Sequence, residues 1–178
     1  MKPIASLAAV SLLAVASCVP KPRPAPQTTA AEPPLTVTIP AVRSPVTYEN
    51  WLDAPQTTGD WTYARTGQET SAVFGEAGSE PRFSISCDLA SKRVTLTRLG
   101  VIAARGGTMT IRTETMERDL PTDTADRTQL ITPSYLDGTD RLLDAMALSK
   151  GRFAVEVGPS KLYLPSWAEV TRVIEDCR

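Results

Sequence analysis

The chain has 178 residues and a formal net charge of −1, with 19 lysines and arginines against 20 aspartates and glutamates. This balance excludes a nucleic-acid-binding protein that works by neutralising phosphates. The chain contains no histidine, which removes Ser-His-Asp and Cys-His catalytic arrangements and the commonest zinc ligand.

The amino terminus has the pattern of a secretory signal. Lys2 supplies a positive charge, and an apolar block follows from Ile4 to Ala16. This block has the length of a signal-peptide core and is shorter than the roughly 20 residues that span a bilayer. We therefore expect residues 1–17 to be a signal peptide and not a transmembrane anchor.

The apolar block ends in VASC (15–18), which resembles the lipobox of bacterial lipoproteins. In that family the cysteine thiol receives a diacylglyceryl group, the preceding peptide is removed, and the new amino terminus is usually acylated. The resemblance implies lipidation of Cys18 and a stable membrane anchor, because two or three acyl chains hold a protein at a bilayer. Val19, by the same resemblance, favours the outer membrane over the inner. A secreted protein with an unmodified Cys18 is the alternative.

Prolines dominate residues 18–45, where few large apolar side chains occur. Such a segment cannot bury enough surface to fold, and its composition is typical of an extended, semi-rigid and disordered linker. A docking strand at Leu35 to Ile39 is the alternative for part of it. Residues 46–178 have the size of one globular domain with one core.

Short segments of this domain alternate apolar and polar residues, the pattern of strands with one buried face. The expected inward residues are Phe83, Ile85 and Cys87; Val94 and Leu96; Met109 and Ile111; and Phe153, Val155 and Val157. The segments "WTYAR" and "SAVFG" predict a further hairpin, and "SKLYL" a further strand. The pattern predicts a mainly β (α+β) fold, an antiparallel sandwich or a partly closed barrel.

Two helices are expected in the second half of the domain. In "DRLLDAMALSK" the apolar residues share one helical face, and the flanking residues indicate a start and a stop. The apolar residues are Leu142, Leu143, Met146 and Ala147, the cap is Thr139 or Asp140, and the stop is Gly151.

The second helix is expected in "PSWAEVTRVIEDCR", at the carboxy terminus. Ser166 and Glu169 have the spacing of a capping box, in which each side chain bonds the other's backbone amide. Val170, Ile174 and Cys177 lie at i, i+4 and i+7, so Cys177 is expected on the buried face.

Cys87 and Cys177 both fall on apolar faces, and they are the two cysteines that remain when Cys18 carries lipid. In an oxidising periplasm such a pair is expected to form a disulfide. Two buried free thiols are the alternative. A disulfide would close a loop of about 90 residues and attach the last helix to the sheet. In the chain-entropy model it would raise the free energy of unfolding by about 4 to 5 kcal/mol.

No catalytic, cofactor or metal site is predicted, because the common catalytic and nucleotide-binding motifs are absent. The acidic stretch "TETMERDLPTDTAD" is interpreted as a solvated connection between strands, with calcium binding or paired-carboxylate chemistry as alternatives. Its acidic residues are Glu114, Glu117, Asp119, Asp123 and Asp126, with Arg118 and Arg127 among them. A surface aromatic site is a further alternative to core positions for Trp51, Trp61, Trp167, Tyr135 and Tyr163.

Four segments carry a resemblance to small envelope lipoproteins of alphaproteobacteria, most of which have no assigned function. These segments are "GDWTYAR", "FSISCD", "LLDAMALSKGRFAVEV" and "LPSWAEVTRVIEDCR". A looser likeness, to secreted β-sandwich proteins of the invasion-associated-locus-B type, rests on "GDW" and on the order of helix, glycine and strand near the end. The lipoproteins that inhibit lysozyme share a β-rich domain behind a lipid anchor, but their Ser-Gly-x-x-Tyr motif is absent here.

These observations predict a non-enzymatic envelope lipoprotein that faces the periplasm and binds an envelope protein or polymer. The membrane is expected as a partner through Cys18, and nucleic acid is not. An inhibitor of an envelope-directed enzyme and a carboxylate-based hydrolase are the alternatives.

Overall fold

The computed structural model describes residues 48, 50–123 and 128–178. The chain divides into two units, residues 1–44 and residues 45–178, and the described residues all belong to the second. The fold below is that of the second unit.

Several predictions concern residues outside the described ranges. They are the signal peptide (1–17), the lipidated Cys18, the linker (18–45) with its alternative strand at 35–39, and the structure around Asp126 and Arg127. All of them stay predictions.

Strands make up most of the regular structure, and two short α-helices complete it. The strands are β1 (Asp60–Thr66), β2 (Glu69–Gly75), β3 (Phe83–Asp88), β4 (Arg93–Leu99), β5 (Thr108–Arg112), β6 (Glu117–Pro121), β7 (Ile131–Asp137), β8 (Arg152–Val157) and β9 (Ser160–Pro165). The helices are α1 (Arg141–Ala147) and α2 (Ala168–Asp176), and a 3₁₀ turn spans Trp51–Asp53.

The strands form two antiparallel sheets that are not closed into a barrel. A five-stranded sheet has the order β1-β2-β3-β4-β7, and a four-stranded sheet has the order β6-β5-β8-β9. Buried side chains of both sheets and both helices belong to one core. The ring centroids of Phe83 and Phe153, one from each sheet, lie 6.4 Å apart. The mainly β fold with two helices, the last at the carboxy terminus, is therefore confirmed, and of the two predicted forms the partly closed barrel is excluded.

Alternation along the strands places the expected residues in the core. Every residue of the four predicted inward sets is buried, and their polar neighbours are half-buried or exposed. The hairpin of β1 and β2 and the strand β9 also form as expected. Trp61 is buried at the start of β1, and its indole N–H donates to the Pro165 carbonyl at 2.8 Å.

Helix α1 starts where the sequence predicts and ends earlier. The Asp140 side chain accepts a hydrogen bond from the Leu142 amide at 2.8 Å, which makes Asp140 the amino-terminal cap. The helix ends at Ala147, so the predicted stop at Gly151 is wrong. The Ser149 hydroxyl donates to the Arg152 carbonyl at 2.6 Å, which holds this segment in a turn outside the helix.

The start of α2 differs from the predicted capping box. Trp167 is the cap residue and makes no side-chain capping bond. The Ser166 hydroxyl instead donates to the Met146 carbonyl in α1. The other end follows the prediction: Cys177 is buried and bonded to Cys87, with the two Cα atoms 5.6 Å apart.

Two strands were not expected from the sequence. Strand β6 lies within the acidic stretch, so the interpretation of this stretch as a solvated connection is wrong for Glu117–Pro121. Leu120 is the one buried residue of β6. In β7 the inward side chains include Thr132 and Ser134, which are polar and buried. Neither strand shows the alternation of apolar side chains on which the prediction depended.

Candidate functional site

The five-stranded sheet has an outward side that differs in composition from the outward side of the four-stranded sheet. Two adjacent rows of residues, aligned across all five strands by antiparallel pairing, make up its centre. We name these ten residues the outer face: Thr62, Val73, Ser84, Thr97 and Pro133 in one row, and Ala64, Ser71, Ser86, Thr95 and Tyr135 in the other.

The alternation of the strands puts these side chains outside. Ser86 follows the buried Ile85 and precedes the buried Cys87, and Thr95 lies between two buried residues of β4 in the same way. All ten residues are half-buried or exposed. The outer face thus results from the same periodicity that builds the core.

The inner side of the same sheet is covered by the other elements. Cys87 points inward and is bonded to Cys177 at the end of α2. The Tyr63 hydroxyl donates to an Asp176 carboxylate oxygen of α2 at 2.8 Å, and the Arg172 guanidinium lies 4.0 Å from the centre of the Tyr63 ring. Partial burial, and then the bond to Asp176, raise the pKa of Tyr63. These contacts place α2 on the inner side of the sheet.

The outer face carries no ionised side chain. Its seven hydroxyl groups belong to six serines and threonines, three in each row, and to Tyr135, and its remaining side chains are alanine, valine and proline. The chain as a whole is 22% charged, so ten residues of average composition would include about two charges. Tyr135 is 48% exposed and is the one large aromatic side chain in the two rows.

Charged residues lie in the next row, at one margin of the outer face. There Glu69 pairs with Asp88, Asp88 with Arg93, and Arg93 with Asp137 across neighbouring strands. The Arg93 guanidinium lies 5.7 Å from the centre of the Tyr135 ring. This stacking holds the ring beside the charged margin.

Two of these carboxylates serve turns of the backbone. One Asp88 oxygen accepts hydrogen bonds from the Ala90 amide at 2.9 Å and from the Ser91 amide at 2.8 Å. Hydrogen bonding with Ser91, and then with Ala90, lowers the pKa of Asp88. One Asp137 oxygen accepts from the hydroxyl and the amide of Thr139, which lowers the pKa of Asp137. Both carboxylates therefore have structural partners.

Shallow depressions open along the margins of the outer face. One of about 450 Å³ is lined by Arg93, Tyr135 and Asp137, and one of about 490 Å³ by Ser86, Arg93 and Thr95 among others. A third, of about 470 Å³, lies at the opposite margin beside Thr62. None of the three is an enclosed cavity of the kind that small-molecule enzymes use.

The outward side of the four-stranded sheet is charged. Arg112 lies between two carboxylates, 3.5 Å from an oxygen of Glu117 and 3.5 Å from an oxygen of Glu156. Lys161 approaches the other Glu156 oxygen at 3.2 Å. This ion-pair network is what a solvated sheet surface commonly shows, and it contrasts with the outer face.

The acidic stretch from Glu114 contributes to that charged surface. Glu117 pairs with Arg112, and Asp119 accepts a hydrogen bond from the Thr110 hydroxyl. Arg118 extends to Asp140 at the start of α1, at 2.8 Å. Within the described residues, no group of three or more cysteine, aspartate or glutamate side chains is arranged to hold a metal ion.

The five aromatic residues considered from the sequence do not form one patch. Trp61 is in the core, and Trp51 and Tyr163 are half-buried. Trp167 is 41% exposed at the start of α2, and Tyr135 is exposed on the outer face. The sequence therefore indicates Tyr135 as a candidate surface aromatic residue. It does not indicate the serines and threonines around Tyr135, because Tyr135 lies beside Thr95 only through the pairing of β7 with β4.

Arg98 is a buried cation that the sequence reasoning did not identify. It points inward from β4 and is 8% exposed. Its guanidinium donates to the Arg82 carbonyl at 2.7 Å, to the Ser160 hydroxyl at 2.9 Å and to the Leu99 carbonyl. Burial, and then the nearby charge of Arg82, lower the pKa of Arg98. These bonds tie β4 to Arg82 and to the first residue of β9, which is a structural role.

Comparison of the chain with protein-family models, curated proteins and solved structures finds no match. Among the described residues, no helix has both the length and the apolar character needed to cross a membrane.

Proposed function

We propose that the protein is a lipid-anchored, non-enzymatic binding module of the bacterial envelope, and that the outer face is its binding surface. The anchor rests on the lipobox-like VASC (15–18) and the proline-rich segment after it. The mature protein would then be attached to the membrane at Cys18 and would face the periplasm, with Val19 favouring the outer membrane.

The observation that carries the binding role is the contrast between the two outward sheet surfaces. The four-stranded sheet has charged side chains that pair with one another, as in Arg112 and Glu156. The outer face has hydroxyl groups, small apolar groups and one exposed aromatic ring, Tyr135. Covering such a surface costs less hydration energy than covering a charged one, because no charge has to be desolvated.

A binding role also agrees with the chemistry of the described carboxylates. The alternative of a carboxylate-based hydrolase needs a pair of carboxylates that face a substrate. Glu117 and Asp119 instead bond to Arg112 and Thr110 within their own sheet. Turnover of peptidoglycan fragments, glycans or esters by the purified chain, lost on changing Glu114, Glu117 or Asp119, would contradict the proposal.

Site-specific photo-crosslinking in living cells tests the binding surface. A photoreactive phenylalanine analogue replaces Ser86 in the middle of the outer face in one strain, and Thr108 on the charged side of the four-stranded sheet in another. We expect a discrete crosslinked product from position 86 and none from position 108. Equal products from both positions, or none from position 86, would contradict the outer face as the binding surface.

Labelling with an alkyne fatty acid tests the anchor. The wild-type chain is expected to incorporate the label, and Cys18→Ser to lose it, because without the thiol no diacylglyceryl group can be attached. Cys87→Ser is the control, since its cysteine is in the disulfide, and it should label like the wild type. Equal label on Cys18→Ser and wild type would overturn the lipid anchor.

A further inference from the structure

The chemistry of the outer face indicates the class of its ligand. Two parallel rows cross five strands that are spaced about 4.8 Å apart, so each row is about 19 Å long. The face is long and its depressions are open, which suits a chain laid across the strands better than a compact small molecule.

Hydroxyl groups are the principal polar groups along these rows. In the second row, Ser71, Ser86 and Thr95 lie on three neighbouring strands and are paired in register. Each hydroxyl can donate one hydrogen bond and accept others. Sugar hydroxyls have the same capacity, and the strand spacing is close to the length of one pyranose unit in a linear chain. The rows can therefore repeat their hydrogen bonds along a polysaccharide.

Tyr135 and Pro133 add an apolar end to the rows on β7. The carbon-bound hydrogens of a pyranose ring form apolar patches that stack on such flat surfaces. The Arg93 guanidinium lies 5.7 Å from the centre of the Tyr135 ring, where a cation attracts the ring face. The end of the face at β7 thus offers a stacking position for one sugar.

The absence of ionised groups on the face selects against charged ligands. A polyanion would need lysines or arginines along the rows, and the two rows contain none. Three carboxylates, of Glu69, Asp88 and Asp137, also lie in the adjacent charged row, where Arg93 is the one cation among the four.

We infer that the outer face binds an uncharged, linear glycan chain of the envelope. The inference rests on the proposed function, since it identifies the ligand of the same surface. It assigns hydrogen bonding to the serines and threonines of the rows and stacking to Tyr135.

Calorimetric titration of the purified full-length chain tests the inference. The probes are β-1,4-linked hexasaccharides of glucose and of N-acetylglucosamine, with an acidic hexasaccharide of uronic acids for comparison. We expect binding of at least one neutral hexasaccharide, and binding of the acidic one at least tenfold weaker.

Four variants test the location of the site, with thermal unfolding measured for each to show that it is folded. Tyr135→Ala should weaken binding about tenfold through loss of stacking, and Tyr135→Phe should retain it. Thr95→Lys, which adds a long charged side chain to the centre of the face, should weaken binding at least tenfold. Thr108→Lys, on the other sheet, is the matched control and should bind like the wild type.

Three outcomes would overturn the inference. They are failure of both neutral probes to bind, equal binding by Thr95→Lys and wild type, and tighter binding of the acidic probe. A crosslinked product from position 86 in cells, together with failure of both neutral probes, would reject the glycan and leave the outer face as a binding surface for another partner. If position 86 gives no crosslinked product and neither neutral probe binds, the proposed function is rejected as well.

Discussion

The two sides of the five-stranded sheet have the same strands and opposite characters. On the inner side, Ile85 and Cys87 are fully buried, and the disulfide joins the sheet to α2. On the outer side, Ser86 and its neighbours are uncharged, partly exposed and not needed for the core. The sequence of one side is restricted by packing, whereas packing leaves the composition of the other side free.

This difference separates stability from binding in one element. Substitutions on the inner side remove buried contacts and lower the free energy of unfolding. Substitutions on the outer side remove few contacts and change what the surface presents. Variants on the two sides of the sheet should therefore differ widely in their effect on stability.

Loss of the disulfide should have the largest effect. Cys87→Ala opens a link between residues 90 positions apart, which is worth about 4 to 5 kcal/mol in the chain-entropy model. For a domain of this size we expect the melting temperature to fall by roughly 10–15 °C, while membrane attachment is unchanged. Calorimetry measures the shift, and the same protein with reductant should resemble the variant. A melting temperature equal to that of the wild type would show that the bond does not hold the fold.

Neighbouring residues on β3 provide a matched pair. Ile85→Ala should lower the free energy of unfolding by about 2–5 kcal/mol, because it leaves a cavity in the core. Ser86→Ala should change it by less than about 0.5 kcal/mol. Urea denaturation of both variants measures the difference. Equal losses would mean that Ser86 takes part in packing and that the two sides are not distinct.

Gly138 allows the close approach of the carboxy terminus to the sheet. A β-carbon at this position would overlap the Cys177 carbonyl oxygen and lie 2.9 Å from the Lys92 carbonyl oxygen. Gly138→Ala should therefore cost about 1–3 kcal/mol through displacement of the last turn. Lys150→Ala, at an exposed position, is the control and should be near neutral. Wild-type stability of Gly138→Ala would show that the terminus is not tightly placed.

The smallest effect concerns acid stability at the margin of the outer face. The pKa values of Asp88 and Asp137 are lowered below their ordinary value of 3.8, so both groups bind protons more readily in the unfolded chain. Their contribution to stability is present above that value and is lost as the pH falls through the lowered pKa. The double variant Asp88→Asn, Asp137→Asn should have a flatter stability profile below about pH 4. A profile as steep as that of the wild type would assign acid unfolding to other groups.

The sequence predicts those strands in which apolar and polar residues alternate. Phe83, Ile85 and Cys87 point inward because every second residue of a strand shares a face, and Cys177 is buried because of its helical spacing. Strand β7 was missed because its inward Thr132 and Ser134 are polar. Short-range periodicity contains no signal for a strand whose buried residues form hydrogen bonds instead of apolar contacts.

The candidate site needed the tertiary structure. Ser86 and Thr95 are joined by a hairpin, but Tyr135 reaches them through the pairing of β4 with β7, which are separated by β5 and β6 in the chain. The predicted capping box at Ser166 and Glu169 failed for a similar reason, since the Ser166 hydroxyl bonds Met146 of the other helix. The outer face and the start of α2 therefore depend on long-range strand pairing and on the contact between the two helices, which local sequence patterns do not predict.

Nuclear magnetic resonance titration with the neutral hexasaccharides tests the central claim most directly. The isotope-labelled full-length chain is titrated, and the amide shifts are mapped on the two sheets. We expect the largest changes at the outer-face residues of β2, β3, β4 and β7, including Ser86, Thr95 and Tyr135, and no change at Thr108 or Lys161. Shifts concentrated on the four-stranded sheet, or no shifts at saturating glycan, would contradict the assignment of the outer face as the glycan-binding surface.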